Sequence, residues 1–246
     1  MARRRFFVDE FHNRRAEVSG DDAHHLTRVL RVERGQQYEV CDNNAAWLAT
    51  VVEAHKARVV FELNEPIAAK QAFTPLTLYV ALFKFDHLEW IVEKGTELGV
   101  ESFRFVIAER SEKGLERAAE KRIERWRKIA LESSQQSRRD RLPLLYEPVR
   151  LRDAAKQAGG VKLLLDEECG TPLLNLLGAQ RRAESGVSLL TGPEGGWVDH
   201  ERESLRQSGW AAVTLGPSIL RAETAAIAAI AVVQSSFLTS KVIDAQ

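Results

Sequence analysis

The sequence predicts an α/β protein, a mostly parallel sheet with helices on both faces, preceded by a small β-rich domain. Three observations carry this. From residue 76 onward, apolar strand-like runs alternate with helical segments, the order that builds a parallel sheet. Runs such as Val161-Lys162-Leu163-Leu164-Leu165 and Val187-Ser188-Leu189-Leu190 are apolar nearly throughout, as in strands buried on both faces. In the first third, closely spaced short segments alternate apolar and polar residues instead, the pattern of a small barrel.

In chain order, 5–8 is a short strand, and 21–31 is a helix with Leu26, Val29 and Leu30 on one face and acids in its first turn. Strands follow at 37–41, 47–53 and 58–63, separated by turn-like stretches such as Asp42-Asn43-Asn44. The stretch from Pro66 to Pro75 has no clear period and marks a boundary, giving domains 1–70 and 71–246. Next come a strand at 76–83, a helix at 86–98 with Leu88, Ile91, Val92 and Leu98 on its apolar face, and a strand at 103–108. A long helix at 116–137 turns Ile123, Trp126, Ile129 and Ala130 inward. Strands at 161–166, 187–191 and 211–215 are each followed by a helix. The last helix, from about Glu223, is apolar nearly all round through 225–233. It is either a central core helix or one that also packs in a homodimer interface.

Composition narrows the class. Among 246 residues, 35 Lys and Arg balance 35 Asp and Glu, which excludes a gross polycation but not a local basic face. The two cysteines, Cys41 and Cys169, lie far apart with no zinc-type spacing, so neither a structural metal nor a disulfide framework is expected. The start, Met1-Ala2-Arg3-Arg4-Arg5, lacks the apolar core of a signal peptide. The longest apolar run, 225–233, is too short to span a bilayer. A soluble cytoplasmic protein is expected.

In an open α/β sheet, ligands bind beyond the carboxyl ends of the strands. Two such ends carry unusual loops: Gly192-Pro193-Glu194-Gly195-Gly196, and Gly216-Pro217-Ser218-Ile219-Leu220-Arg221-Ala222-Glu223-Thr224. Glycines let a backbone approach a ligand closely. Yet Pro193 and Pro217 each remove an N–H donor, Glu194 places a carboxylate where a phosphate would sit, and no dinucleotide or P-loop fingerprint occurs. The loops suit a ligand without phosphates that offers hydroxyls, an amine, a heteroaromatic ring or a positive centre. S-adenosylmethionine has all four. The alternative is two tight strand-to-helix turns with no ligand.

Basic residues gather in two places. Residues 110–141 hold eleven bases against six acids, a local excess of five. Much of this suits a solvated helix face with i,i+4 pairs. Gln136, Arg138 and Arg139 at its end fit RNA contact better. Arg3, Arg4 and Arg5, with Arg28 and Arg31 on the first helix, form a second candidate RNA patch, or else a frayed basic terminus. His24 and His25 are expected as polar-face or packing residues, not as metal ligands.

Taken together, Gly192-Pro193-Glu194-Gly195-Gly196-Trp197, Glu201 and the run from Leu215 to Ala225 resemble the ribosomal RNA small subunit methyltransferase E family, the 16S rRNA uracil-N3 methyltransferases. Glu93-Lys94-Gly95-Thr96-Glu97-Leu98-Gly99-Val100 matches as well, as do Arg125-Trp126, Lys128-Ile129, Gln136-Ser137-Arg138-Arg139 and Pro143. The resemblance covers nearly the whole chain, and the motifs in this order are specific. It implies a PUA-like N-terminal barrel that helps bind RNA and a SPOUT-type parallel sheet with a C-terminal trefoil knot, a rare exception to normal chain topology. It further implies a homodimer, 16S rRNA or the small ribosomal subunit as partner, and S-adenosylmethionine held by two loops. Those loops map to Leu190, Thr191, Gly192, Glu194, Gly195 and Gly196, and to Leu215, Gly216, Ile219, Leu220, Thr224 and Ala225. Ser218 stands where the family usually carries Arg.

Methyl transfer from a sulfonium is an in-line displacement that gains mostly from positioning. The uracil N3 proton must leave, so a base or an anion-stabilising cation helps. Arg221 is the expected stabiliser of charge on the uracil, or the holder of a phosphate. Glu223 and Glu194 are expected to accept the proton or to hold Arg221. No metal is required. Other readings remain: a SPOUT enzyme acting on another RNA position such as a ribose 2′-hydroxyl, or a non-catalytic RNA-binding protein with a dead pocket. A nicotinamide enzyme is disfavoured by the missing fingerprint.

Overall fold

The structure is a computed structural model and describes residues 4–68, 73–179 and 185–243. It divides into two compact units, Met1–Ala72 with Leu131–Leu142, and Phe73–Ala130 with Pro143–Gln246.

The first unit holds β1 (Arg5–Phe7), β2 (Phe11–His12), β3 (Arg15–Ser19), α1 (Gly20–Arg28), β4 (Gln37–Cys41), β5 (Ala46–His55) and β6 (Arg58–Ile67). They form one sheet in the order β1-β4-β5-β6-β3-β2, antiparallel except for the β1–β4 pair. The sheet curls. Phe6 and Phe61 have ring centroids 6.0 Å apart although their strands are three places apart in the sheet. A flat sheet would separate them by about 14 Å. Inside the curl pack Phe6, Val18, Val40, Val51 and Phe61, with Leu26 from α1.

Sequence patterning missed the β2–β3 hairpin. Its turn residues, Asn13 and Arg14, have φ of 48° and 58°, the double left-handed geometry that a two-residue turn needs. Arg in that conformation hides the usual Asn-Gly signal. Its guanidinium donates to the carbonyls of Leu63 and Asn64 at 3.2 and 3.3 Å, which holds the turn. Helix α1 also stops earlier than expected. Val29, expected on the inner face, is 64% exposed, because the chain leaves the helix and turns at Arg31, φ 53°.

Residues 138–142 are fastened to β1 and β4 by a buried guanidinium. Arg5, 1% exposed, donates from Nε to Glu39 at 3.0 Å, to the Arg139 carbonyl at 3.1 Å, and to Asp140. Leu142 N–H donates to Asn43 Oδ1 at 2.9 Å, and the Cys41 thiol donates to the Asp140 carbonyl at 3.1 Å.

The second unit contains β7 (Leu76–Ala81), α2 (Phe85–Glu97), β8 (Ser102–Ile107), most of α3 (Leu115–Ser137), β9 (Leu144–Arg150) and α4 (Leu151–Gln157). Then follow β10 (Val161–Leu165), β11 (Thr171–Pro172), α5 (Leu173–Ala179), β12 (Val187–Thr191), α6 (Asp199–Gln207), β13 (Ala211–Thr214) and α7 (Ala222–Ile243). Its seven strands are all parallel, in the order β11-β13-β10-β12-β7-β8-β9.

Both faces are buried, as the apolar runs require. On β7, Leu76, Leu78 and Val80 face one core and Tyr79 and Ala81 the other. The first core takes side chains from α2, α3, α5 and α7. The second takes Ala154 and Ala155 of α4 and Leu205 of α6. Trp126 of α3 closes the first core between Phe105 and Phe85, with ring centroids 4.3 and 5.7 Å away. Such aromatic contacts add about 0.5–1.5 kcal/mol beyond burial.

Two strands here escaped the sequence pattern. Edge strand β9 exposes Leu144 and Tyr146, so it carries no double-buried run, and β11 is two residues long. Helix α7 buries Ala226, Ala229, Ile230 and Val233 along one side, while Ile227, Ala228 and Ala231 are half-buried.

The connections fix where a ligand can sit. From β7 the chain steps outward through β8 to β9, while neighbouring β12 leads the other way to β13. The carboxyl ends of β7 and β12 therefore diverge and open a crevice.

Candidate active site

The crevice is a cleft of about 530 Å³, within the usual range for small-molecule sites. Four strand ends supply it: Lys84 and His87 after β7, Leu165 to Glu167 after β10, Thr191 to Trp197 after β12, and Thr214 to Ala225 after β13. The two loops singled out in the sequence thus face one another across a single space.

The β12 loop is built around Trp197. This residue is 2% exposed, and its indole N–H donates to the Leu165 carbonyl at 3.0 Å, bracing the loop against β10. Gly192 lies flat against that indole, where an added Cβ would stand 3.1 Å from the ring. Gly196 turns the chain at φ 68°. Buried Glu201 holds the start of α6: its carboxylate accepts from the N–H groups of Glu109 at 2.9 Å and Val198 at 3.3 Å. On the β10 side, Asp166 is buried and accepts from Arg202 Nε at 2.8 Å. That hydrogen bond is the main reason the guanidinium of Arg202 is held above its ordinary value.

The lining is acidic. Asp166, Glu167, Glu194 and Glu223 stand against Lys84, Arg221 and the Arg202 that pairs with Asp166, an excess of one negative charge. With Pro193 and Pro217 withholding N–H groups, the cleft repels phosphate and favours a cation. Thr191 is 2% exposed and its Oγ1 has no hydrogen-bond partner among the described residues, so a buried polar atom is left for a ligand group. Glycine-walled space, spare carboxylates and this hydroxyl fit a nucleoside sulfonium.

Of the expected cofactor residues, Thr191, Gly192, Glu194, Gly196, Leu215, Gly216, Ile219, Leu220 and Ala225 line the cleft. Three do not. Leu190 is 1% exposed in the core beside Trp197 and Leu205, because alternation along β12 points it away from its neighbour Thr191. The Gly195 carbonyl is taken by Arg110 at 2.5 Å, and Thr224 is exposed outside the lining.

The expected hold of Glu223 on Arg221 is absent. Among the described residues the two form no ion pair; Arg221 is exposed, and Glu223, 5% exposed, faces His87. His87, Lys84, Asp166 and Glu167 were missed in the sequence. They sit at strand ends without glycine or proline, so strand position was the available signal.

The expected RNA residues diverge. Arg3 lies outside the described residues. Arg4 is half-buried, and Arg28, Arg31 and Gln136 are exposed. Arg5 does not offer its charge outward: two carboxylates and a carbonyl occupy it inside the first unit. Arg138 stands 3.4 Å from Glu39, and Arg139 Nε donates to the Arg141 carbonyl at 3.1 Å, so the two arginines expected to contact RNA are partly engaged within the first unit. Among the described residues no His, Cys, Asp and Glu cluster could hold a metal, and no helix is long and apolar enough to cross a membrane.

Residues 70–234 match the family described as RNA methyltransferase domain, and residues 18–64 that described as RNA methyltransferase PUA domain. Ribosomal RNA small subunit methyltransferase E of Synechocystis is 32% identical, over 85% of this chain and 69% of its own. The protein of that name from Bacillus subtilis is 31% identical, over 88% of each chain. The crystal structure of ribosomal RNA small subunit methyltransferase E from Neisseria gonorrhoeae, bound to S-adenosyl methionine, superposes with a TM-score of 0.85 at 29% identity, covering 95% of this chain and 98% of that one.

Proposed function

Since the chain belongs to the ribosomal RNA small subunit methyltransferase E family, whose members methylate 16S rRNA with S-adenosylmethionine, we propose that it transfers that methyl group to N3 of a uridine. The observation that carries this reading is the meeting of the β12 and β13 loops around one acidic, glycine-walled cleft that contains the Thr191 hydroxyl, unpartnered among the described residues.

The cofactor supplies an activated methyl on a positive sulfur. The chain supplies position and charge. Glycines 192, 196 and 216 give the ligand access to backbone, and Glu194 and Glu223 offset the sulfonium charge. Thr191 Oγ1 and the carboxylates after β10 provide polar anchors. Arg221, exposed at the cleft, stabilises negative charge on the uracil as its N3 proton leaves, and Glu194 accepts that proton. N3 lies on the Watson–Crick edge, so the target base is bound unpaired or extruded from its stack.

The curled first unit acts as the PUA-like RNA-binding domain, with Arg28 and Arg31 among its outward charges. The second is the SPOUT catalytic domain, with the trefoil knot of that class at its carboxyl end. The protein works in the cytoplasm as a homodimer. The half-buried Ile227, Ala228 and Ala231 of α7, and Ile219 at 81% exposure, are apolar surface for a second copy to cover.

The test is to incubate the protein with labelled cofactor and small ribosomal subunits from a strain that lacks the modification, then locate the label. Label on uridine N3 supports the proposal. Label on a ribose hydroxyl replaces the target atom, and no label with retained RNA binding leaves a binding protein.

A further inference from the structure

Arg110 stands behind the cleft and not in it. Sheet order puts β8 and β12 on either side of β7, so their exit loops meet across its end. The β8 loop is a tight turn: the Ser111 N–H donates to the Ala108 carbonyl at 3.1 Å, and Ser111 Oγ accepts from the Ala108 N–H at 3.2 Å. Two links tie its next residue to the start of α6. The Glu109 N–H donates to Glu201 Oε1 at 2.9 Å, and Glu109 Oε2 lies 2.9 Å from His200 Nε2. From this fixed loop Arg110 Nη1 donates to the Gly195 carbonyl at 2.5 Å. The arginine stem lies along the same glycine, where an added Cβ would stand 3.3 Å from Arg110 Cδ. The peptide between Gly195 and Gly196 is thereby fixed at both ends, because its N–H donates to the Pro193 carbonyl at 2.9 Å. That second hydrogen bond closes a turn from Pro193 to Gly196, and Glu194 is its first inner residue. Pro193, Glu194 and Gly196 line the cleft, whereas Gly195 and Arg110 do not. Glu194 reaches on to Lys84, 3.4 Å from its Oε1.

We propose that Arg110 is a positioning residue that, through the Gly195 carbonyl, sets where the turn presents the Glu194 carboxylate to a bound sulfonium; this rests on the cleft being the cofactor site. Glycine has wide backbone freedom, so one turn hydrogen bond alone leaves the Pro193–Gly196 loop several shapes. A second hydrogen bond on the same peptide removes that freedom. Attraction between unit charges falls with separation, so a displaced carboxylate loses hold on a positive sulfur and loses nothing toward a neutral thioether. The guanidinium charge acting directly has the opposite sign. It opposes a sulfonium, so its removal by that route would favour the charged cofactor. Positioning and direct charge therefore predict opposite changes in the same measurement.

The experiment is calorimetry on the full chain with S-adenosylmethionine and with S-adenosylhomocysteine, its neutral thioether counterpart, followed by single-turnover methyl transfer to small ribosomal subunits. The quantity compared is the ratio of the two affinities. Arg110→Met keeps the stem and removes the donor. The ratio is expected to fall about fivefold against the charged cofactor, and transfer to slow about tenfold or more. Arg110→Lys restores a donor and should recover most of the ratio. In a Glu194→Gln chain, Arg110→Met should leave the ratio where Glu194→Gln put it, because the two act as one unit. A ratio that stays native or rises in Arg110→Met overturns the proposal, as does a fall of the same size in the Glu194→Gln chain. If Arg110→Met does not fold, Arg110→Gln, too short to reach Gly195, replaces it with the same outcomes. Weakened RNA binding with a native ratio also overturns the proposal and moves Arg110 to the RNA surface. Native protein that binds neither nucleoside overturns the reading of the cleft, and this proposal falls with it for that separate reason.

Discussion

Gln234 of α7 and Thr74 ahead of β7 exchange two hydrogen bonds across 160 residues of chain: Thr74 N–H donates to Gln234 Oε1, and Gln234 Nε2 donates to the Thr74 carbonyl, both at 3.1 Å. The same amide donates to the Gly99 carbonyl at 3.3 Å, and Gln234 is 3% exposed. One side chain thus satisfies three backbone groups that no strand pairs. Gln234→Leu keeps the volume and strands all three. The expected loss is about 2–4 kcal/mol of stability in urea denaturation. An unchanged midpoint would mean that water reaches those groups.

Arg5 is the corresponding anchor of the first unit. Arg5→Leu removes the buried guanidinium that Glu39 and Asp140 share beside β1, and should cost about 3 kcal/mol. RNA affinity measured on the folded fraction should change little. A large fall there with stability intact would return Arg5 to the RNA surface.

Arg28 and Arg31 are exposed and are the better test of that surface. Reversing both to Glu should weaken RNA binding and reduce the slope of log affinity against log salt by about 2, roughly one for each phosphate no longer neutralised. A slope equal to the native one would remove this patch from the interface.

Arg221→Ala should lower the rate of methyl transfer by at least about 100-fold, the scale on which a transition-state charge stabiliser acts. Cofactor binding should survive, because Arg221 is exposed at the cleft mouth. Near-native turnover would reject the role.

Cys169 is an exposed thiol whose titration is pushed up, first by local desolvation and then by the charge of Asp166. A raised thiol needs higher pH to become the reactive thiolate, so alkylation near pH 8 should be slower than for an ordinary cysteine of about 8.5. Asp166→Asn should accelerate it only modestly, because desolvation is the larger cause. Alkylation at the rate of an unfolded peptide would contradict this.

Strands β10 and β12 were legible because burial on both faces forces continuous apolar runs, and α3 because Ile123, Trp126 and Ala130 keep helical spacing. The β2–β3 hairpin was not legible, because Arg14 takes a backbone geometry that its side chain disfavours and that hydrogen bonds to Leu63 and Asn64 sustain. In the site, glycine and proline marked the β12 and β13 loops. Nothing local marked His87 or Lys84, whose places follow from β7 pairing with β12.

The sequence by itself determined the parallel sheet, the two glycine-proline loops and the kind of ligand they exclude, because backbone freedom, missing N–H groups and charge are properties of the residues themselves. Only the tertiary structure decided that Arg5 lies inside, that Leu190 turns away while Thr191 faces the cleft, and that Glu223 answers to His87 and not to Arg221. Those outcomes depend on which strands become neighbours, and strand order is set by the packing of the whole sheet, which no local pattern encodes.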